Sequence, residues 1–221
     1  MRLSKLTTGI MITAALAAVP AAAQVPGLPV YNQGVPRGIG VYGDVGFPND
    51  LAGGGTAYGL TGRAGFGFVG VTAIVSTYNP DGPVDSHTSV GATGNLRLFG
   101  GPLVPLTVTL QAGAGYSKID EAKDYRFPIG LGFALTIPNP VLAIRPWLAP
   151  RVDIARTEIP GDVLTPDTYK TDTNFGLSGG VELNLLNGLG LHAAYDRVFG
   201  DGSDPSVFAI GAHYNFRVPG L

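Results

Sequence analysis

The 221-residue chain contains no cysteine, which removes disulfides, thiolate metal sites, a thiol nucleophile and iron–sulfur chemistry at once. Charge is scarce as well. Asp, Glu, Lys and Arg make up 14% of the residues and the formal net charge is −2, so the basic surface that holds nucleic acid is missing. Long apolar runs are missing too: beyond the first two dozen residues none approaches the length of a transmembrane helix. A chain of this kind enters a bilayer only as a closed barrel, where strand pairing satisfies every backbone group. Glycine (34 residues) and proline (18) are plentiful.

At the N-terminus, Arg2 and Lys5 precede an apolar run over residues 9–19, then Pro20 and the small residues Ala21, Ala22 and Ala23. A basic head, an apolar stretch too short to span a bilayer and an Ala-x-Ala site read as a secretory signal peptide, residues 1–23, with cleavage expected after Ala23. The mature chain, from Gln24 onward, is long enough for one domain.

Ten strands are expected, at about 38–47, 57–66, 69–78, 88–99, 104–117, 126–137, 142–156, 173–186, 189–199 and 206–216. Their evidence is period-two alternation. In the fifth, Leu106, Val108, Leu110, Ala112, Ala114 and Tyr116 oppose Thr107, Thr109, Gln111, Gly113, Gly115 and Ser117. In the last, Phe208, Ile210, Ala212, Tyr214 and Phe216 oppose Val207, Ala209, Gly211, His213 and Asn215. One face is apolar and the other polar or glycine over about ten residues, the length a tilted strand needs to cross a membrane. Tight links (67–68, 100–103, 138–141, 187–188) alternate with longer polar ones (48–56, 79–87, 118–125, 157–172, 200–205), the plan of an up-and-down barrel with turns on one side and loops on the other.

The C-terminal Gly211-Ala-His-Tyr214-Asn-Phe216 resembles the insertion signal of bacterial outer-membrane β-barrels, a glycine followed by two alternate aromatics. With it, the chain is similar in plan to the small OmpA/OmpX-type barrels. That resemblance implies an all-β, closed, antiparallel transmembrane barrel, to which the alternation gives ten strands where those relatives have eight, with eight as the alternative. It also implies export to the bacterial outer membrane, insertion by the barrel-assembly machinery through Gly211, Tyr214 and Phe216, and contact with outer-membrane lipid and lipopolysaccharide as a monomer. Residues 24–37 then form a periplasmic lead, 38–216 the barrel and 217–221 a tail.

Charge placement is an independent check on the strand phases. Twelve of the 16 acidic residues fall in or beside the five long links. The other four, Asp44, Asp153, Glu182 and Asp196, sit on polar faces, as do Arg63, Arg97, Arg145 and Arg151. Four acids and four arginines facing inward predict an ion-pair network that plugs the lumen with side chains, because an unpaired buried charge costs several kcal/mol. A charged constriction in a pore is the competing reading. Trp147 has the inward phase and is expected to pack there, whereas Tyr42, Tyr58, Tyr78, Tyr116, Phe127 and Tyr195 near strand ends suit an interfacial girdle, although Tyr42 has the inward phase. Arg156 and Arg197 break the apolar phase at the outer ends of their strands, where they suit lipopolysaccharide phosphates or snorkelling to the interface.

Three functions fit. The first is a non-enzymatic membrane protein with a plugged lumen and acidic exterior loops, structural or surface-interacting. The second is a narrow channel for small solutes or ions. The third, a hydrolase, requires a Ser or Asp within reach of the inward-facing His192 or His213. No catalytic motif is intact, and neither cofactor nor metal is expected.

Overall fold

A computed structural model describes residues 24–36, 38–101, 104–161, 166–200 and 204–216. The expected signal peptide and the tail lie outside them. Ten antiparallel strands form the structure: β1 (Gly38–Pro48), β2 (Thr56–Phe66), β3 (Val69–Asn79), β4 (His87–Gly101), β5 (Val104–Ile119), β6 (Ala122–Leu135), β7 (Leu142–Ile159), β8 (Thr168–Leu185), β9 (Leu189–Phe199) and β10 (Ser206–Phe216). Each pairs with its sequence neighbours, and β10 returns to β1, with Ile39 opposite Phe216 and Pro48 opposite Val207. Closure removes both sheet edges.

Burial alternates residue by residue along these strands. In β1, Tyr42 and Asp44 are buried while Ile39 and Val41 are exposed. Around the barrel, Val71, Leu110, Ile129, Val152, Leu191 and Ile210 all face outward and exposed. Water would penalise such a belt and lipid favours it, so the fold is that of a transmembrane β-barrel. At the turn end, Gly67 (φ 62°) and Gly188 (φ 94°) take left-handed conformations that close tight links.

Strand length divides the barrel. The strands β9, β10, β1, β2 and β3 have 11 residues each, whereas β4 to β8 have 14 to 18. On the loop side β5 to β8 rise as two hairpins, which corrects two of the expected long links. Residues 118–125 are mostly ladder, with Lys118 opposite Lys123 and Ile119 opposite Ala122, and Asp120 (φ 53°) turns the chain. Strands β7 and β8 stay paired up to Ile159 opposite Thr168.

The larger correction concerns the lead. Residues 24–36 do not lie in the periplasm; they run up the inside of the barrel. Val25, Leu28, Val30, Asn32, Gln33 and Val35 are all at most 3% exposed. Pro36 packs on Gly65 and Gly70 near the turn end, Asn32 on Gly132, Leu28 on Gly46 and Gly59, and Gln24 on Gly91 and Gly115 in the loop-side half. These inward positions need glycine because of close approach: a Cβ at Gly46, Gly65 or Gly115 would overlap the backbone carbonyl of Gly27, Pro36 or Gln24. A ten-stranded wall is wider than an eight-stranded one, and a glycine-rich inner face leaves room for a chain. Side chains alone therefore do not fill this lumen.

Candidate functional site

Residues 24–36 carry no charged side chain, and three prolines (Pro26, Pro29, Pro36) keep them from coiling into a helix. Its backbone therefore needs partners from the wall. The Val30 amide donates to Asp196 Oδ2 at 2.9 Å, Gln111 donates to the Tyr31 carbonyl at 2.8 Å, and Arg63 donates to the Gly34 carbonyl at 2.9 Å and to the Gln33 side chain. The Gln24 side chain donates to the Ala114 carbonyl at 3.2 Å. Tyr31 is an anchor: its hydroxyl donates to Asp44 and its ring lies 6.1 Å from that of Trp147, which is buried inside as its phase required.

The eight charged residues assigned to the lumen resolve into three groups, an arginine bound to the plug, and one outlier. In the first group, Arg151 reaches Asp153 and Asp196 at 2.8 Å each, and the Ser178 hydroxyl donates to Asp196 at 2.8 Å. Because Asp196 also accepts from Val30, this cluster ties wall to plug. In the second, Glu182 has Arg145 at 3.9 Å, accepts from the Tyr42 hydroxyl at 3.2 Å, and has His213 Nε2 at 3.7 Å. In the third, Asp44 pairs not with an arginine but with His192 Nε2 at 2.7 Å and with Tyr31. Arg63 also pairs with no carboxylate in this set: it binds the plug and lies over the Tyr42 ring at 5.2 Å. Arg97 is the outlier, half-buried at the turn end of β4 and without an ion pair among the described residues.

The inward-facing histidines join the network, and Asp124 and Tyr78 enter the lumen unexpectedly. His192 and His213 touch through their Nδ1 atoms at 3.1 Å, and His213 Nε2 lies 3.0 Å from Asn184 Oδ1, so they bridge the Asp44 and Glu182 groups. Asp124, expected in a loop, lies inside β6 next to Arg126; the two pair at 2.5 Å, and Thr157 donates to Asp124 at 3.0 Å. Alternation carried through residues 122–126 would have placed both inward. Tyr78, expected in the girdle, also faces in, donating to the Ala52 and Gly54 carbonyls at 2.8 Å each.

Across the lumen the wall has another character. The inner faces of β3, β4 and β5 carry Ser76, Ser89, Thr93, Asn95, Thr109, Gln111 and Ser117, all buried and uncharged. The Ser76, Ser89, Thr109 and Ser117 hydroxyls and both polar atoms of the Asn95 amide have no hydrogen-bond partner among the described residues.

On the outside, Arg156 at the loop end of β7 lies over Tyr169 at 5.0 Å and has no carboxylate partner among the described residues. Arg197 is committed to Asp204 at 2.5 Å, beside a rim cavity of about 490 Å³ that Tyr195, Asn49 and Leu51 also line. At the turn end Tyr214 and Phe216 are exposed and stacked edge to face at 4.7 Å, with Gly211 half-buried further up the strand.

For hydrolysis, His192 or His213 would need a nucleophile. An acid is in place, Asp44 on His192, but among the described residues neither imidazole hydrogen-bonds a hydroxyl. No group of three His, Asp or Glu able to hold a metal occurs among the described residues.

Neither a family model nor a curated protein matches the sequence. Solved structures do match the fold. The β domain of the Bordetella autotransporter BrkA superposes with a TM-score of 0.50 at 16% identity over 80% of this chain and 98% of that one. The N-terminal β-barrel domain of Pseudomonas aeruginosa OprF gives 0.39 at 12% identity, covering 80% and 96%. The outer-membrane protease OmpT of Escherichia coli gives 0.43 at 8% identity, covering 81% and 94%. The chain has the closed antiparallel fold of the outer-membrane β-barrels, and that fold hosts many functions.

Proposed function

We propose that this protein is a non-enzymatic outer-membrane barrel whose lumen is closed by its own residues 24–36, and that it acts at the cell surface as a structural or surface-interacting protein. One observation carries the reading: the interior is occupied by a segment without charged side chains, anchored to charged wall groups at Asp196, Asp44 and Arg63. What remains for contact with the exterior is the loop side, where the β5–β6 and β7–β8 hairpins stand above the shorter arc and Asp81, Asp85, Asp120, Glu121 and Asp167 lie in or beside the links. Export through a signal peptide cleaved after Ala23 and insertion read from Gly211, Tyr214 and Phe216 belong to this reading. So does lipopolysaccharide as neighbour, with Arg156 a better phosphate contact than Arg197, whose charge Asp204 already meets. The protein works as a monomer.

A narrow channel is the competing reading, and one recording separates them. In a planar bilayer the intact protein is expected to be silent and a variant lacking residues 24–36 to conduct. Steady ion current from the intact protein would overturn the plugged reading in favour of the channel.

A further inference from the structure

We infer that the His192–His213 pair is an acid-released latch on the plug, an inference that rests on the plugged reading. The two imidazoles, 5% and 3% exposed, face each other through Nδ1 atoms 3.1 Å apart. Only one hydrogen fits in that gap, whichever ring carries it. Each outer nitrogen has an acceptor: His192 Nε2 lies 2.7 Å from Asp44 Oδ1, and His213 Nε2 lies 3.0 Å from Asn184 Oδ1 and 3.7 Å from Glu182 Oε1. In this arrangement the pair therefore holds at most three N–H protons on its four nitrogens. A fourth would set N–H against N–H and one imidazolium against another, so it is taken up only when the rings part.

The surroundings direct that parting at the plug. On the wall side the rings lie against the backbone of Gly211 and Gly190, so closely that a Cβ at either glycine would overlap His192 or His213. Tyr42 of β1 stacks on His213 at 4.7 Å, and Tyr31 of the plug meets His192 edge to face at 5.8 Å. Tyr31 is also bonded to Asp44, the carboxylate that holds His192. The other charged groups around the pair are Glu182 on β8, Arg145 on β7, 3.9 Å from Glu182, and Arg63 on β2, over the Tyr42 ring. Asp196, further along β9, is engaged by Arg151. Two carboxylates, Asp44 and Glu182, thus stand with two guanidiniums, and none is left over to offset a second imidazolium. Histidine changes charge between about pH 5 and 8. The released state holds one proton more than the latched one, so its population is expected to rise by up to about tenfold for each pH unit of acidification.

Trp147, the chain's one tryptophan, lies buried 6.1 Å from the Tyr31 ring and reports whether that anchor is in place. The test reads its emission maximum and its quenching by acrylamide in the purified protein in liposomes, at about pH 7.5 and about pH 5. In the wild type Trp147 is expected to be shielded at the higher pH, and to shift to the red with several-fold stronger quenching at the lower. His192→Gln and His213→Gln, polar but unable to titrate, are each expected to stay shielded at both. Heat-modifiable mobility on gels verifies that each is folded, and two variants guard against one failing to fold. His87→Gln, which removes the third histidine at the loop end of β4, is expected to respond like the wild type. Wild-type Trp147 that stays shielded at both pH values would overturn the latch and leave the plug standing. A full shift in both folded latch variants would overturn it as well, and so would loss of the shift in His87→Gln. Trp147 quenched at the higher pH as freely as in the denatured chain would sink the plugged reading itself.

Discussion

The two walls of one lumen solve the same problem in opposite ways. From β7 through β10 to β1 the interior is charged and interlocked: Arg151, Asp153, Asp196, Glu182, Asp44, His192 and His213 each have a partner within 4 Å. From β3 to β5, apart from Arg97 at the turn end, it is uncharged, with hydroxyls and an amide that have no hydrogen-bond partner among the described residues. Both walls touch the plug, but the strong anchors, Val30 on Asp196 and Tyr31 on Asp44, belong to the charged side. A buried charge must be matched atom by atom or its desolvation destabilises the fold, whereas a buried hydroxyl is satisfied by a single water. The charged wall therefore fixes where the plug lies, and the β3–β5 wall meets it through glycines and uncharged polar side chains.

Breaking the charged wall should have the largest effect. Arg151→Ala strands Asp153 and Asp196 without their cation and is expected to lower stability by about 3–5 kcal/mol, read as a shift of the urea midpoint in lipid vesicles. Asp44→Asn removes one charged acceptor from both His192 and Tyr31 and is expected to cost about 1.5–3 kcal/mol in the same titration.

The neutral wall should respond to volume and not to polarity. Gly115→Val, which overlaps the Gln24 carbonyl, is expected to cost about 1–3 kcal/mol through overpacking and to expose the plug tip to limited proteolysis while the barrel persists. Ser117→Ala, which deletes a hydroxyl with no protein partner, is expected to be close to neutral. Smallest of all is Arg97→Ala, expected within about 0.5 kcal/mol because no ion pair is lost. A midpoint shift for Arg97→Ala as large as that for Arg151→Ala would erase the distinction between the two walls.

Much of the barrel was legible because strand alternation has a fixed period. Leu106 to Tyr116 against Thr107 to Ser117 set the phase of β5 without ambiguity, and the same phase put Asp44, Asp153, Glu182 and Asp196 inside. Pairing was less legible than placement. A residue's face follows from counting, but Asp44 meets His192 and not an arginine because barrel stagger sets which residues face one another across the wall.

Asp124 escapes the count for a different reason: β5 and β6 continue past the expected lipid-crossing length, so their polar ends read as a loop. The plug was the hardest to see. Residues 24–36 have no period, no charge and three prolines, the signature of a linker. Its trace lay in the wall, where inward glycines such as Gly46, Gly59, Gly65, Gly115 and Gly132 are too small to fill a ten-stranded lumen.

The most direct measurement of the plug uses the absence of native cysteine. Leu28, fully buried against Gly46 and Gly59, is replaced by cysteine, and the folded protein in lipid vesicles is exposed to a water-soluble maleimide. Protection of Leu28→Cys in the folded barrel, with full labelling after denaturation, is the expected result. Labelling of the folded protein as fast as of the denatured chain would contradict the plug and return residues 24–36 to solvent.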